Sequence, residues 1–150
     1  MKRFFMALIV LVLLGAVFTG CSSSNISPEK LVIKGFYLGM PYDQALEKAR
    51  AMGTVSQITG KRYSVSNTNG EMVLDFICAD GQVCEIRFYC ELFNSCAMPI
   101  DEFIKEMINN YKIPELKIDN STGQYVYRSN KGLKVSVGET VLLEKVAPTS

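Results

Sequence analysis

Four cysteines in the middle of the chain are the residues whose type and spacing most directly allow chemistry. They follow one another at intervals of six residues: Cys78, Cys84, Cys90 and Cys96. Thiols could form disulfides, bind a metal ion or exchange electrons, but an interval of six differs from the Cys-x-x-Cys spacing of redox and zinc motifs. If the chain is exported, the even number favours two structural disulfides and no metal site.

Other groups for catalysis are few. Histidine is absent from the 150 residues, which removes the commonest general base and the histidine ligands of zinc. Carboxylates could act as acid and base, namely Asp43 with Glu47, and Asp101 with Glu102 and Glu106. Each group falls in the first turn or on the polar face of a predicted helix, where solvated acidic side chains are common. We therefore predict no catalytic residue, no metal, no cofactor and no enzyme activity.

The start of the chain predicts where the protein resides. Lys2 and Arg3 precede an uncharged apolar run over residues 4–17, and small residues then lead into Cys21. This is the layout of a secretory signal, and the run is shorter than the ~20 apolar residues of a transmembrane helix. We predict that residues 1–20 form a cleaved leader.

Thr19-Gly20-Cys21 resembles the end of the bacterial lipoprotein signal, which has the form small-Gly-Cys. The resemblance implies that Cys21 receives a diacylglycerol, that the leader is cut before it, and that the new amine is acylated. An ordinary signal peptide is the alternative. Ser22 resembles the residue of lipoproteins sent to the outer membrane, so we expect an anchor on its periplasmic face. In a one-membrane bacterium the anchor would lie on the outer face of the plasma membrane.

The rest of the chain is nearly neutral and long enough for one domain. Without Lys2 and Arg3, 14 of the 16 basic residues remain against 15 acidic ones. This balance predicts no binding to nucleic acid, and membrane contact through the lipid alone. Residues 21–30 are polar and are predicted to be a flexible tether, so that a single domain spans residues 31–150.

Two segments of this domain align without gaps at an offset of 58 residues. Residues 40–46 match residues 98–104, and each segment starts an apolar series at i, i+3, i+4 and i+7. Both are predicted to be amphipathic helices, with Pro41 and Pro99 at the first helical position. Gly53 is a predicted stop for the first helix.

After each helix the apolar period changes to two, which predicts strands. Turn signals at Asn69-Gly70 and Asp80-Gly81 separate the strands of the first unit. We predict an α+β fold of two tandem helix-plus-antiparallel-meander units, about 33–90 and 91–148. Together they would form a two-layer sandwich, a curved sheet with both helices on one face.

This arrangement bears on the disulfides. The apolar faces of the hairpin put Cys78 and Cys84 on the same side, opposite or diagonal to each other. Cys90 and Cys96 flank a loop short enough to close. We expect the pairs 78–84 and 90–96, and the other two pairings stay open.

Aromatic and apolar residues in two connections are candidate partner contacts. These are Phe36 and Tyr37 before the first helix, and Leu92 and Phe93 before the second. Apolar side chains in loops are enriched in contact patches, although they can equally close the ends of a sheet.

The opening of the domain resembles that of the SmpA/OmlA (BamE-like) outer-membrane lipoproteins. Residues 33–41 run into Gln44-Ala45 as that family's Gly-Met-Thr motif runs into its helix. The family's Leu-x-Phe…Gly-x-Val…Ile pattern corresponds to Leu74, Phe76, Gly81, Val83 and Ile86. The β-lactamase-inhibitor protein is similar in being a tandem of such units with disulfides.

The resemblance and the missing catalytic groups imply a non-catalytic interaction module in the cell envelope. We expect its partner to be another envelope protein, whereas the sequence predicts no oligomeric state. Two alternatives are an inhibitor of a periplasmic hydrolase and a binder of a small ligand or cell-wall fragment.

Overall fold

The computed structural model of the chain describes residues 25–149. Within these residues there are two α-helices, α1 (Tyr42–Met52) and α2 (Ile100–Tyr111), together with short 3₁₀ helices at Pro28–Lys30 and Cys90–Phe93. The eight strands are β1 (Thr54–Thr59), β2 (Arg62–Ser66), β3 (Met72–Ala79), β4 (Gln82–Tyr89), β5 (Lys117–Asp119), β6 (Gln124–Arg128), β7 (Leu133–Val137) and β8 (Thr140–Lys145).

All eight strands belong to one antiparallel sheet in the order β1-β2-β3-β4-β8-β7-β6-β5. The predicted α+β class is confirmed, but β1 and β5, the two ends of the open sheet, were not predicted from the sequence. The strands that follow α1 meet those that follow α2 where β4 pairs with β8. At this seam Ile86 lies opposite Leu143, and Phe88 lies opposite Val141.

One face of the sheet carries a continuous apolar row from β2 to β6. Register partners along this row are Tyr63, Phe76, Ile86, Leu143, Val135 and Tyr127. All but Tyr63 are buried. Helix α1 packs on this side, with the ring of Tyr42 5.3 Å from that of Tyr63, and its buried face consists of Ala45 and Ala49. Small side chains at these positions allow the close approach.

Helix α2 contacts the sheet through the ring of Phe93, which lies between the helix and the strands. Phe93 lies between the strand residue Phe88, at 6.1 Å, and the helix residue Phe103, at 5.5 Å between ring centroids. Phe103, Ile104 and Met107 are buried. Helix α1 packs on β1, β2 and β4.

Pro41 and Pro99 were predicted to occupy the first helical position, but each directly precedes its helix. Pro41 and Pro99 have the same backbone angles, φ −56° and ψ 140°, and this ψ is extended rather than helical. Their carbonyls accept the first helical hydrogen bonds, from the N–H groups of Ala45 and Phe103. Each proline is therefore an N-cap residue. Gly53 caps the end of α1, as predicted.

Part of the predicted tether packs on the domain. Pro28 is buried, and Ile26 donates its backbone N–H to the hydroxyl of Tyr127 at 3.2 Å. Residues 26–30 therefore extend the domain that was predicted to begin at residue 31. The predicted leader, residues 1–20, and the lipidation residue Cys21 lie outside the described residues. Among the described residues, neither helix has the length and apolar character to cross a membrane.

Gly53 provides a test of the close contact between α1 and β2. A Cβ atom at this position would lie 2.0 Å from the backbone oxygen of Ser66, whereas a Cβ at Gly60 meets nothing within 4 Å. We expect Gly53→Ala to lower the free energy of unfolding by about 2 kcal/mol or more, because the backbone must move. Gly60→Ala is the matched control and should change it little. Urea denaturation measures both, and equal effects would contradict this packing.

Candidate functional site

Phe36, a predicted partner contact, belongs to the core. Its backbone forms two reciprocal hydrogen bonds of 2.9 Å with Ile33 around a tight turn. The turn directs the Phe36 ring inward, 6.3 Å from that of Phe76, and the side chain is fully buried. The prediction that Phe36 contacts a partner is therefore wrong. Tyr37 is half-buried and donates its hydroxyl to the Oε1 atom of Gln44 at 3.3 Å.

Leu92 and Phe93 are half-buried and pack against the core. The Phe93 ring joins α2 to the sheet and also holds the Lys34 ammonium 5.6 Å from its centroid. The predicted disulfide between Cys90 and Cys96 is present and closes the loop that contains these residues. Its sulfurs are not free to bind a metal, although the Glu91 carboxylate lies close to them. This loop supports α2, and its apolar residues offer a partner little free surface.

The predicted disulfide between Cys78 and Cys84 is absent, and both residues carry free thiols. The two-residue turn pairs Ala79 with Gln82 and therefore Cys78 with Val83. The apolar face, however, requires Phe76 to lie opposite Ile86. A β-bulge reconciles the two registers by leaving Cys84 as the extra residue. The pairing of Phe76 with Ile86 and of Ile77 with Glu85 would put Cys78 opposite Cys84 if it continued. The bulge shifts the pairing at this point, so Cys78 lies opposite Val83.

Both free thiols are neutral at ordinary pH. Burial, and to a lesser extent the nearby Cys84, raise the pKa of Cys78 to about 11. Burial and the Glu85 charge raise the pKa of Cys84, whose sulfur contacts the carbonyl oxygen of Ile77 at 3.4 Å. Nucleophilic attack and metal binding require the thiolate. Neither cysteine is therefore poised for such chemistry.

A buried polar cluster lies on the sheet face opposite the apolar row. The Oδ2 atom of Asp75 accepts hydrogen bonds from Arg62 at 2.7 Å and from the Tyr89 hydroxyl at 2.8 Å. Only 2% of the Asp75 side chain is exposed. This ion pair raises the pKa of Arg62, and burial followed by the bond to Asp75 raises the pKa of Tyr89.

The Asp75 cluster ties strands together and offers no reaction site. Arg62 comes from β2, Asp75 from β3 and Tyr89 from β4, so the carboxylate crosslinks three neighbouring strands. Its Oδ1 atom has no partner, but it is covered. The sequence shows Asp75 on the polar side of a strand, but not which side chains meet it there. The carboxylates weighed as acid–base pairs on α1 and α2 are all exposed.

The two ends of the sheet are unlike. Strand β5 is short and carries charges at Lys117 and Asp119, which is a common protection against pairing with another chain. Strand β1 has six residues, Thr-Val-Ser-Gln-Ile-Thr, none of them charged, and five are exposed. Ile58 sits at a bulge without a register partner and is 57% exposed. No other strand of the part of the chain that the structure describes pairs with the outer edge of β1, so this edge could pair with a further strand.

A groove of about 1140 Å³ lies at the other end, where β5 ends and α2 joins it. Strand β6 continues past β5, because Lys117 pairs with Val126 while Tyr127 and Arg128 have no partner in β5. The apolar lining residues are Ile26, Ile108, Ile113, Pro114, Ile118, Val126 and Tyr127. The charged ones are Lys112, Lys117, Arg128, Glu115 and Asp119. A smaller groove of about 590 Å³ adjoins the disulfide.

Comparisons of the chain with protein-family models, with curated proteins and with solved structures found no match. The resemblance to the SmpA/OmlA lipoproteins therefore stays a prediction from its motifs.

The Asp75 cluster predicts a large difference between two carboxylates on the same face. Asp75→Asn keeps the shape but removes the charge that compensates Arg62, so the free energy of unfolding should fall by ~2 kcal/mol. Glu85→Gln is the control, because its contact with Arg87 is 3.8 Å long and partly exposed. That change should cost less than ~0.5 kcal/mol. Urea denaturation at pH 7 measures both, and equal losses would contradict a structural role for Asp75.

The buried thiol predicts a loss of stability at high pH. Because the pKa of Cys78 is about 11 when folded and near 9.0 ordinarily, the thiol's contribution is complete below pH 9. It is lost as pH rises toward 11, where the unfolded chain gains the thiolate first. Cys78→Val keeps an apolar residue and all tyrosines, so its free energy of unfolding should fall less between pH 9 and 11. Parallel curves for the two proteins would show that Cys78 titrates normally.

Proposed function

We propose that the chain is a non-catalytic lipoprotein, anchored on the periplasmic face of the outer membrane, that binds another envelope protein. The edge of strand β1 is the observation that carries the interaction. The leader pattern that ends at Cys21 supports the location, and it stays a prediction from sequence.

The partner is an extended segment that adds to β1 as a further strand. In this mode the main-chain N–H and C=O groups of an edge strand supply the affinity. Strand β1 suits it because its residues are uncharged, five of the six are exposed, and within residues 25–149 it pairs with β2 alone. Strand β5, at the other edge, is half as long and charged. In the loops around Phe36 and Phe93, by contrast, the aromatic side chains pack against the core of the domain.

We further infer that the domain consists of two related units in two layers. Three observations support this. Each unit has one helix followed by four strands, and the strand order of the second unit mirrors that of the first. The helices begin 58 residues apart, after prolines with the same backbone angles. Tyr42 of α1 lies against Tyr63, and Phe103 of α2 reaches Phe88, on the same sheet face as Tyr63, through the ring of Phe93.

Site-specific photocrosslinking in cells tests the β1 proposal. A benzoyl-phenylalanine at Ile58 is compared with one at Ile118, since the two residues are 57% and 56% exposed and lie in opposite edge strands. We expect a discrete protein adduct from position 58 and none from position 118. The adduct should disappear when Ser56→Pro is added, because proline disrupts strand pairing.

Identification of the crosslinked segment completes the test. A synthetic peptide of that segment should slow hydrogen exchange of the β1 amides in the purified chain, and those of β5 should not change. Adducts at both positions, or a peptide that binds without protecting β1, would contradict strand addition. Absence of any protein adduct at position 58 would contradict the proposed function itself.

A further inference from the structure

We propose that the groove between α2 and the β5–β6 edge, hereafter the α2–β5 groove, binds an anionic amphiphile, a molecule with an acyl chain and a phosphate or carboxylate head. This site goes beyond the proposed protein-binding function and lies at the opposite end of the sheet from β1. Its apolar residues would hold the chain, and its cations the head.

The apolar part of the groove lies beside the connection from α2 to β5. Residues 112–115 of this connection line it together with Ile108 of α2 and Ile118 of β5. Ile118 is 56% exposed in the groove wall, while Ile113 and Tyr127 lie buried at its base. These residues give the groove an apolar side on which an acyl chain could lie.

The charges around the groove favour an anion. Lys112, Lys117 and Arg128 line it, all are exposed, and none takes part in a salt bridge within the described residues. Two carboxylates also line it. Asp119 accepts bonds from the Ser121 N–H at 3.0 Å and hydroxyl at 2.6 Å, which lower its pKa. The lowered pKa keeps Asp119 charged near Arg128, so three cations face two carboxylates and the lining carries a net charge of +1.

The position of the chain's start indicates the source of such a molecule. Ile26 lines the groove, and only four residues, 22–25, lie between it and Cys21. The five steps along the chain from Cys21 to Ile26 span at most ~17 Å, so an anchored protein would hold the groove close to the lipid headgroups. This step alone rests on the proposed anchor. An acidic peptide would match the cations of the groove but not its apolar lining residues.

Native mass spectrometry of the intact chain, extracted from membranes in a non-ionic detergent, tests the proposal. The probes are dodecyl phosphate, inorganic phosphate, dodecanol and a hexaglutamate peptide. We expect one dodecyl phosphate to bind at least tenfold more tightly than any other probe. Equal binding of dodecanol, or preferred binding of free phosphate or the peptide, would overturn the assignment of an anionic amphiphile.

Variants locate the site. The triple change Lys112→Gln, Lys117→Gln and Arg128→Gln should weaken dodecyl phosphate binding at least tenfold. Its control, Lys48→Gln, Arg50→Gln and Lys61→Gln, removes the same charge from exposed positions elsewhere and should leave binding unchanged. Ile118→Asp should abolish binding, whereas Ile58→Asp should not. Equal effects of the matched variants would overturn the site. Because the assay contains no partner, loss of strand addition at β1 would not alter its result.

Discussion

The pairing of β4 with β8 is the interaction on which the rest of the structure depends. It joins the strands that follow each helix into one sheet and makes their apolar residues into one core. Ile86 and Phe88 meet Leu143 and Val141 there, and all four are fully buried. At ~25 cal/mol per Å² of apolar surface, burial of such side chains supplies most of the stability of a domain this small. Neither set of strands could bury its apolar face without the other.

The same seam leaves the sheet with two unlike ends. Because β4 and β8 are central, β1 and β5 are the edge strands. The two edges differ because the segments that connect α1 to β1 and α2 to β5 differ in length. Only Gly53 separates α1 from β1, and α1 packs on β1 and on the neighbouring strand β2. Strand β5 follows a longer connection from α2 and leaves a groove lined by Ile118. A protein segment and an amphiphile could therefore bind at the same time without competing.

Periodicity predicted the elements with clear patterns, and it did not predict those whose pattern was weak. The helices and the β3–β4 hairpin follow from apolar spacing and turn residues. Strand β1 is mostly polar because it is an edge, so its only sequence signals were β-branched residues after Gly53. The 78–84 disulfide was expected because the alternation of apolar residues along β3 and β4 was assumed to continue without interruption up to the turn. A bulge next to the turn interrupts it. Phe36 was a candidate partner contact because the sequence does not distinguish a tight turn that folds its ring inward from an open loop.

Native-state hydrogen exchange of the membrane-extracted chain tests the central claim most directly. If the β4–β8 pairing creates one cooperative unit, the slowest amides will lie in both β4 and β8 and share a single opening free energy, equal to that of global unfolding. Amides of β1 will exchange faster, as expected for a free edge. A lower opening free energy for β5–β8 than for β2–β4 would show that the two halves open independently and would contradict the account.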